Sequence, residues 1–296
     1  MTKILSQPFC FEMKTRRKPM KFMTLNTHSW LEPEPEKKLQ ELADKILLED
    51  YEVIALQEIN QLLESEEVEP AKLMKFCQVK NQVPIRKDNF AYRLVQLLKE
   101  HGKEYFWSWE MSHIGYDKYE EGNALLTKKT LESQVLTVSQ SQKKEDYQTR
   151  KILIGKTKID DQDIFVSSCH FSWWTDKKSG FYFEWKNLEN YFLETRVPLF
   201  FLGDFNNPVD SQGYYTVRES CLLLQDSYVV ANEKGKAATV EKKIDGWEQN
   251  TEKLRIDFIF VPEGMQVKKY QRIFDGIDSP IISDHYGVEI ELDVNE

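Results

Sequence analysis

FFLGDFNNP, residues 200–208, is the stretch on which the reading of this chain turns. Phe200, Phe201 and Leu202 make an apolar run that suits a strand buried on both faces, and Gly203 then leads a turn holding Asp204, Asn206, Asn207 and Pro208. A structural turn accounts for Gly203, Asn207 and Pro208 equally well. Asp204 and Asn206 therefore gain meaning only if other segments repeat the arrangement, and several do. LNTHSW (25–30) ends an apolar stretch on Asn26, LQEIN (56–60) on Glu58 and SCHFSWW (168–174) on His170, while SDHYGV (283–288) sets Asp284 and His285 beside a further apolar run. RIDFIF (255–260) places Asp257 among Ile256, Phe258 and Ile259. A carboxylate buried in a strand needs a partner, and a histidine can be that partner.

Further apolar runs read as strands over 21–26, 53–56, 105–111, 123–127, 131–138, 151–159, 164–170, 199–202, 255–261, 267–274 and 287–292. Helical spacing is found at Leu39, Leu42, Ala43, Ile46 and Leu47, at Leu94, Leu97 and Leu98 ahead of Gly102, and over 181–195. Residues 160–163 read as a hairpin turn, and 60–88, rich in Glu, Lys, Gln and Pro, as a surface insertion. Many strands, few helices and no regular βαβ alternation argue for an α/β (α+β) fold in which a packed pair of mixed sheets is covered by outer helices. The polar clusters then meet at one rim of the sheets.

The 296 residues are 41% apolar, enough for one large core, so residues 20–296 read as a single domain. Residues 1–19 carry Lys14, Arg16, Arg17 and Lys18 without the apolar run of a secretory signal, and read as a disordered extension. No stretch has the length of a bilayer span. Cys10, Cys77, Cys169 and Cys221 are scattered without a CxxC pair, which fits a reducing cytoplasm. A formal charge of −9 argues against a nucleic-acid substrate, since a protein that tracks a phosphate backbone offers it a basic face.

Carboxylate and amide oxygens suit a hard cation, Mg²⁺ with Mn²⁺ able to substitute, and neither HExxH nor a cysteine cluster points to zinc. His170 and His285, at strand ends beside carboxylates, suit general acid/base work near neutral pH. Surface placement explains His28, His101 and His113 adequately, although His113 in HIGYDKY is also placed to line a cleft.

In this order, LNTHSW, LQEIN, GNALLTK (122–128), SCHFSWW, GDFNNP, RIDFIF and SDHYGV resemble the endonuclease/exonuclease/phosphatase family over residues 20–292. The resemblance implies a deoxyribonuclease I-like fold, a four-layer sandwich of two packed mixed β-sheets flanked by helices, and a metal-dependent phosphoesterase. It implies that Asn26 and Glu58 bind the metal with Asp284 at or near its shell. Asp204 would align or deprotonate the attacking water, with Asn206 holding that water. Asp257 would orient His285, and His170 and His285 would contact the phosphoryl group.

Within the family, LQEINQ, HIGYDKY, HFSWW, DGW, NTEKLRID and SDHYG resemble the bacterial maltose 6′-phosphate phosphatases, which implies a small phosphorylated sugar as substrate. Trp173, Trp174, His113, Tyr116 and Trp247 lie near or between the site segments, and aromatic faces pack well on the CH surfaces of sugars. Arg150 offers a positive fork for the ester phosphate, although an ordinary surface arginine fits as well. A nuclease or a sphingomyelinase-like phosphodiesterase shares the same core residues, but the first needs a basic face and the second export and a membrane-facing apolar element. A catalytically silent binding module would have lost ligands or the water-aligning Asp, and this chain keeps them.

Overall fold

Alternation within the apolar runs buries both faces of each sheet. In the computed structural model, which describes residues 19–244, 246–247 and 249–292, strand β1 (Met20–Asn26) points Phe22 toward a second sheet and Met23 and Leu25 toward helices. Next come α1 (Pro35–Glu49), β2 (Val53–Leu62), α2 (Phe90–Glu100), β3 (Phe106–Gly115), β4 (Tyr119–Thr127) and β5 (Glu132–Thr137). They are followed by β6 (Lys151–Ile159), β7 (Gln162–His170), α3 (Phe181–Phe192), β8 (Leu199–Asp204), α4 (Gln212–Arg218) and β9 (Leu224–Asp226). The chain closes with α5 (Ser227–Val230), β10 (Glu233–Lys234), β11 (Asp257–Pro262), β12 (Val267–Ile273) and β13 (Gly287–Leu292).

One sheet has the order β10-β12-β13-β1-β2-β4-β3, the other β5-β6-β7-β8-β11-β9. Both are mixed: β1 runs parallel to β2 and β7 to β8, while β13 and β11 pair antiparallel to β1 and β8. Phe22, Val53, Ala55 and Val288 of the first sheet meet Val166, Phe200, Leu202 and Ile259 of the second between the layers. Leu39, Leu42 and Ile46 of α1, with Leu94 and Leu98 of α2, cover the outer face of the first sheet through Ile54, Leu56 and Trp109. Phe181, Trp185 and Leu188 of α3, with Tyr214 of α4, cover the second through Ile154, Phe201 and Phe258. The result is four layers, helix on sheet on sheet on helix. Each fully buried large side chain stabilises this stack by roughly 1.5–3 kcal/mol.

Local signals act where the sequence leads one to expect them. Asp160 and Asp161 both take left-handed φ (45° and 66°) in the two-residue turn joining β6 and β7, which matches the right-handed twist of the strands. Gly203 has φ +146°, and a Cβ there would lie 2.0 Å from the carbonyl oxygen of Cys169, so only glycine lets β8 approach β7 at this point.

Three features differ from the sequence reading. β2 continues to Leu62, because Asn60, Gln61 and Leu62 pair with β4, so the expected insertion loses its first residues to the sheet. The rest of it is packed and not merely surface: Val68, Val79 and Ile85 are buried in the cores, and Arg86 pairs with Glu120. α4, α5, β9 and β10 are unforeseen, since elements this short span too few positions to show a period. The reading of residues 1–19 as an extension falls, apart from Pro19, outside the described residues.

Candidate active site

Strand register assembles the floor of one cleft. His170 and Asp204 are register partners at the ends of parallel β7 and β8, and Asp257, at the start of antiparallel β11, is the register partner of Asp204 on its other side. Three neighbouring strands thus deliver three polar side chains to one rim. On the facing sheet β1 ends at Asn26, while Asp284 and His285 lie just before β13, which begins at Gly287. Glu58 arrives differently. The β2–β4 register slips between Leu56 and Ile59, and Glu58 takes φ +54°, so a bulge turns its carboxylate into the cleft.

His285 Nδ1 lies 2.9 Å from Asp257 Oδ2, leaving its Nε2 to face Asp204 Oδ2 at 3.9 Å. His170 Nε2 lies 3.7 Å from the same oxygen and 3.9 Å from Glu58 Oε1. Asn206, at φ +50°, fixes the Asp204 carboxylate by donating its backbone N–H to Oδ1 at 2.8 Å and its Nδ2 to Oδ2 at 3.2 Å. Its own amide is oriented by donation to the carbonyl of Phe171 at 3.0 Å and acceptance from Trp247 Nε1 at 3.1 Å.

Burial sets the protonation of these groups in opposite senses. It lifts the Asp204 carboxyl to about 7, with the charge of Asp257 adding to the effect. It depresses His170 far below the ordinary imidazole value, and Arg150 and His113 push the same way, so His170 stays neutral. At His285 burial again favours the neutral ring, but Asp257 and Asp204 outweigh it and the imidazolium is favoured. Two histidines on one floor held in different charge states are equipped for different proton roles.

The donor set fits a hard divalent cation. The Glu58 carboxyl is raised by burial and then by the charge of Asp284, the mark of two carboxylates turned to one small volume. Asp204, Asp257 and His285 also form a buried group whose ligand atoms lie within 4.8 Å of one another, consistent with a divalent-metal site, and His28, Glu32 and Asp284 form a second such group. His285 and Asp257 share a hydrogen bond, while Asp284 Oδ1 accepts from the Ser283 hydroxyl at 3.2 Å. Asn26 donates its Nδ2 to Glu58 Oε1 at 2.8 Å and to Asp204 Oδ2 at 3.2 Å, and its Oδ1 accepts from the His28 backbone N–H at 3.2 Å. In this orientation it bridges the two carboxylates.

The cleft above the floor has a cavity volume of about 190 Å³. His113, Tyr116, Arg150 and Trp173 line it, as the sequence suggests. Burial, then the charge of Arg150, lowers His113 to about 3. Arg150 is 3% exposed, its guanidinium 5.7 Å from the Trp173 ring centroid and 5.5 Å from that of Trp174, with Nε unpaired. Two tryptophans proposed as substrate contacts, Trp174 and Trp247, border the cleft without lining it. Trp174 sits edge-on behind Trp173 and donates Nε1 to Ser179 O at 3.1 Å, while Trp247 packs on a small cluster around Ile244 and holds Asn206.

Cleft residues that sequence reasoning missed are His28, Ile114, Gly115, Glu121, Tyr147 and Ile244. His28 carried a signal, two positions after Asn26: it bonds Glu32 at 2.8 Å and stands 3.9 Å from Asp284. Tyr147 lies in an irregular stretch where no pattern marks it.

Residues 24–285 match the endonuclease/exonuclease/phosphatase family. A protein of that family from Leptotrichia buccalis is similar in structure, with a TM-score of 0.81 at 29% identity over 93% of this chain and 100% of that one. A mannosyl-6-phosphatase from Bacteroides thetaiotaomicron gives 0.64 at 16% identity over 93% and 100% of the two chains. TDP2 of D. rerio, complexed with a single-strand DNA product, gives 0.63 at 15% over 93% and 99%. At these identities the last two show a shared fold and nothing more. No curated protein matches the sequence.

Proposed function

The chain belongs to the endonuclease/exonuclease/phosphatase family, and from that premise we propose that it is a Mg²⁺-dependent sugar-phosphate phosphatase that hydrolyses maltose 6′-phosphate to maltose and inorganic phosphate. One observation carries the reading: a single cleft combines a phosphoryl-transfer floor of Asp204, His285 and His170 with a wall of Trp173 and Tyr116. The mannosyl-6-phosphatase on the same fold supports a phosphorylated sugar as the substrate class. A chain of charge −9 with Glu58, Glu121 and Asp284 in its cleft is poorly suited to a polyanionic backbone.

Phosphate esters hydrolyse extremely slowly in water, so charge must be neutralised and a nucleophile aligned. Glu58 and Asp284 would hold Mg²⁺ (or Mn²⁺), which would supply Lewis-acid neutralisation of phosphoryl charge. Asp204, its carboxylate fixed by Asn206, takes the proton of the attacking water as the bond from phosphorus to the sugar oxygen breaks, and that oxygen leaves as a hydroxyl with a proton from solvent. A carboxyl raised to about 7 is a stronger base than an ordinary aspartate and is still ionised in useful amount at neutral pH. His285, locked by Asp257, presents Nε2–H to phosphoryl oxygens as their charge grows. Neutral His170 adds a hydrogen bond without repelling the ion. Arg150 pairs with the remaining phosphate charge.

Phosphate release from maltose 6′-phosphate and glucose 6-phosphate, with strand cutting of a short DNA duplex, tests the proposal at equal enzyme and saturating Mg²⁺. The disaccharide should be turned over fastest and the DNA left intact. A preference for DNA, or none for the disaccharide over the monosaccharide, defeats it.

A further inference from the structure

Residues 138–150, between β5 and β6, contain neither strand nor helix, yet the segment is tied shut. Val138 N–H donates to Arg150 O at 3.0 Å, and Arg150 N–H to Ser139 Oγ at 2.8 Å. Inside the loop Thr149 Oγ1 donates to Lys143 O at 2.7 Å and Gln148 N–H to Asp146 Oδ1 at 3.0 Å. Ile114 N–H of β3 donates to Lys144 O at 2.6 Å, which joins the loop to the strand that leads to Tyr116. A loop with close ends, filled by its own polar groups, holds its shape without a core, and such loops are often functional.

At its crest stands Tyr147, 55% exposed. Its ring lies 6.4 Å from that of Trp173 at an interplanar angle of 21°, with the edge of Trp174 at 6.1 Å. Trp173 is fixed in turn by the Arg150 guanidinium and by Gly246, where a Cβ would come within 2.9 Å of the indole. Tyr116, 51% exposed, lines the same cleft. A tyrosine this exposed buries little on behalf of the fold, so a rigid mount for it is spent on something other than stability. Its surroundings are aromatic and sit above the phosphoryl floor.

We infer that Tyr147, with Trp173 and Tyr116, forms a saccharide subsite that takes the sugar ring not bearing the phosphate. The inference rests on the sugar-phosphatase reading above. A substrate anchored by its ester on the floor must project its second ring out toward the rim. Pyranose rings offer CH faces that stack on aromatic rings and hydroxyls that bond their polar edges. A nucleobase also stacks on such rings, so a nucleoside monophosphate is the competing ligand that the test must separate from the disaccharide.

The test is the ratio of kcat/KM for maltose 6′-phosphate to that for glucose 6-phosphate in the wild type, Tyr147→Ala and Tyr147→Phe, with a nucleoside monophosphate as a third substrate. Tyr147→Ala should lower the ratio at least about fivefold through KM, whereas Tyr147→Phe, which keeps the ring, should hold it within about twofold. Residual glucose 6-phosphate turnover reports that the variant is folded. A ratio that falls less than fivefold in Tyr147→Ala overturns the subsite and leaves the phosphatase reading standing. So does a nucleotide that suffers more than the disaccharide. A wild type with no preference for the disaccharide overturns both.

Discussion

His170, Asp204 and Asp257 stand at the ends of three strands paired in fixed register, whereas Tyr147 and Trp173 stand on loops held by scattered side-chain hydrogen bonds and by one buried guanidinium. The floor of the cleft inherits its geometry from the sheet, and moving one of its residues would mean slipping a strand. The rim can change by loop substitution without touching the sheet. On the proposed reading the contrast is a division of labour, with the floor supplying the phosphoryl chemistry and the rim selecting which ester reaches it.

Substitutions on the floor should have the largest effects. His285→Ala should lower kcat by roughly 10²–10⁴, the range contributed by a positioned acid or base, with the fold retained by circular dichroism. A folded variant at near-native rate would erase the distinction between floor and rim.

Glu184 tests the joint between the two regions. From α3 it accepts the Ser172 backbone N–H at 3.0 Å and the Ser172 hydroxyl, and so ties down the stem of the loop that carries Trp173. Burial raises its carboxyl from the ordinary 4.5 to about 7. Between those values the folded protein binds this proton more tightly than the unfolded chain does. Its contribution to stability is therefore greatest at low pH, declines as pH rises through that window, and is lost above it. The amount is of order 3 kcal/mol. Glu184→Gln should flatten the decline in denaturant-unfolding free energy between about pH 5 and 7, and an unchanged slope would show that Glu184 is not the titrating group.

Metal binding at the edge of the floor should respond less steeply. Glu58→Gln removes one of two ion-facing charges and should raise the apparent Mg²⁺ constant about tenfold or more, while chelation should abolish wild-type activity. An unchanged metal titration would remove Glu58 from the ion site.

The smallest effect belongs to the rim's backing. Gly246 has φ +80° and abuts Trp173, so Gly246→Ala should cost about 1–2 kcal/mol and lower the melting temperature by a few degrees. A variant as stable as wild type would mean that the indole yields and that the rim is less rigid than its contacts imply.

Part of the floor was legible because an apolar run ends on a polar side chain, as in Asp204 after Phe200–Leu202 and His170 at the end of β7, while Asp257 was marked by its apolar neighbours. The two-sheet architecture follows from the same runs, since residues apolar on both faces require cover on both sides. Glu58 was found for an incomplete reason: LQEIN looks like a strand end, but β2 continues, and a bulge invisible in composition delivers the side chain. Trp173 and Trp174 show the limit of adjacency, because the first lines the cleft while the second packs behind it. Tyr147 had no signal at all, since a loop closed by Ser, Thr and Asp side chains has no period to read.

Phosphate release from maltose 6′-phosphate by the wild type and by folded Asp204→Ala, each with Mg²⁺ and again after exhaustive chelation, tests the central claim most directly. The wild type should release phosphate only with the metal, and Asp204→Ala should be at least about 10²-fold slower with it. A wild type that releases none, a rate indifferent to chelation, or an Asp204→Ala variant at near-native rate would contradict a metal-assisted phosphatase working from this floor.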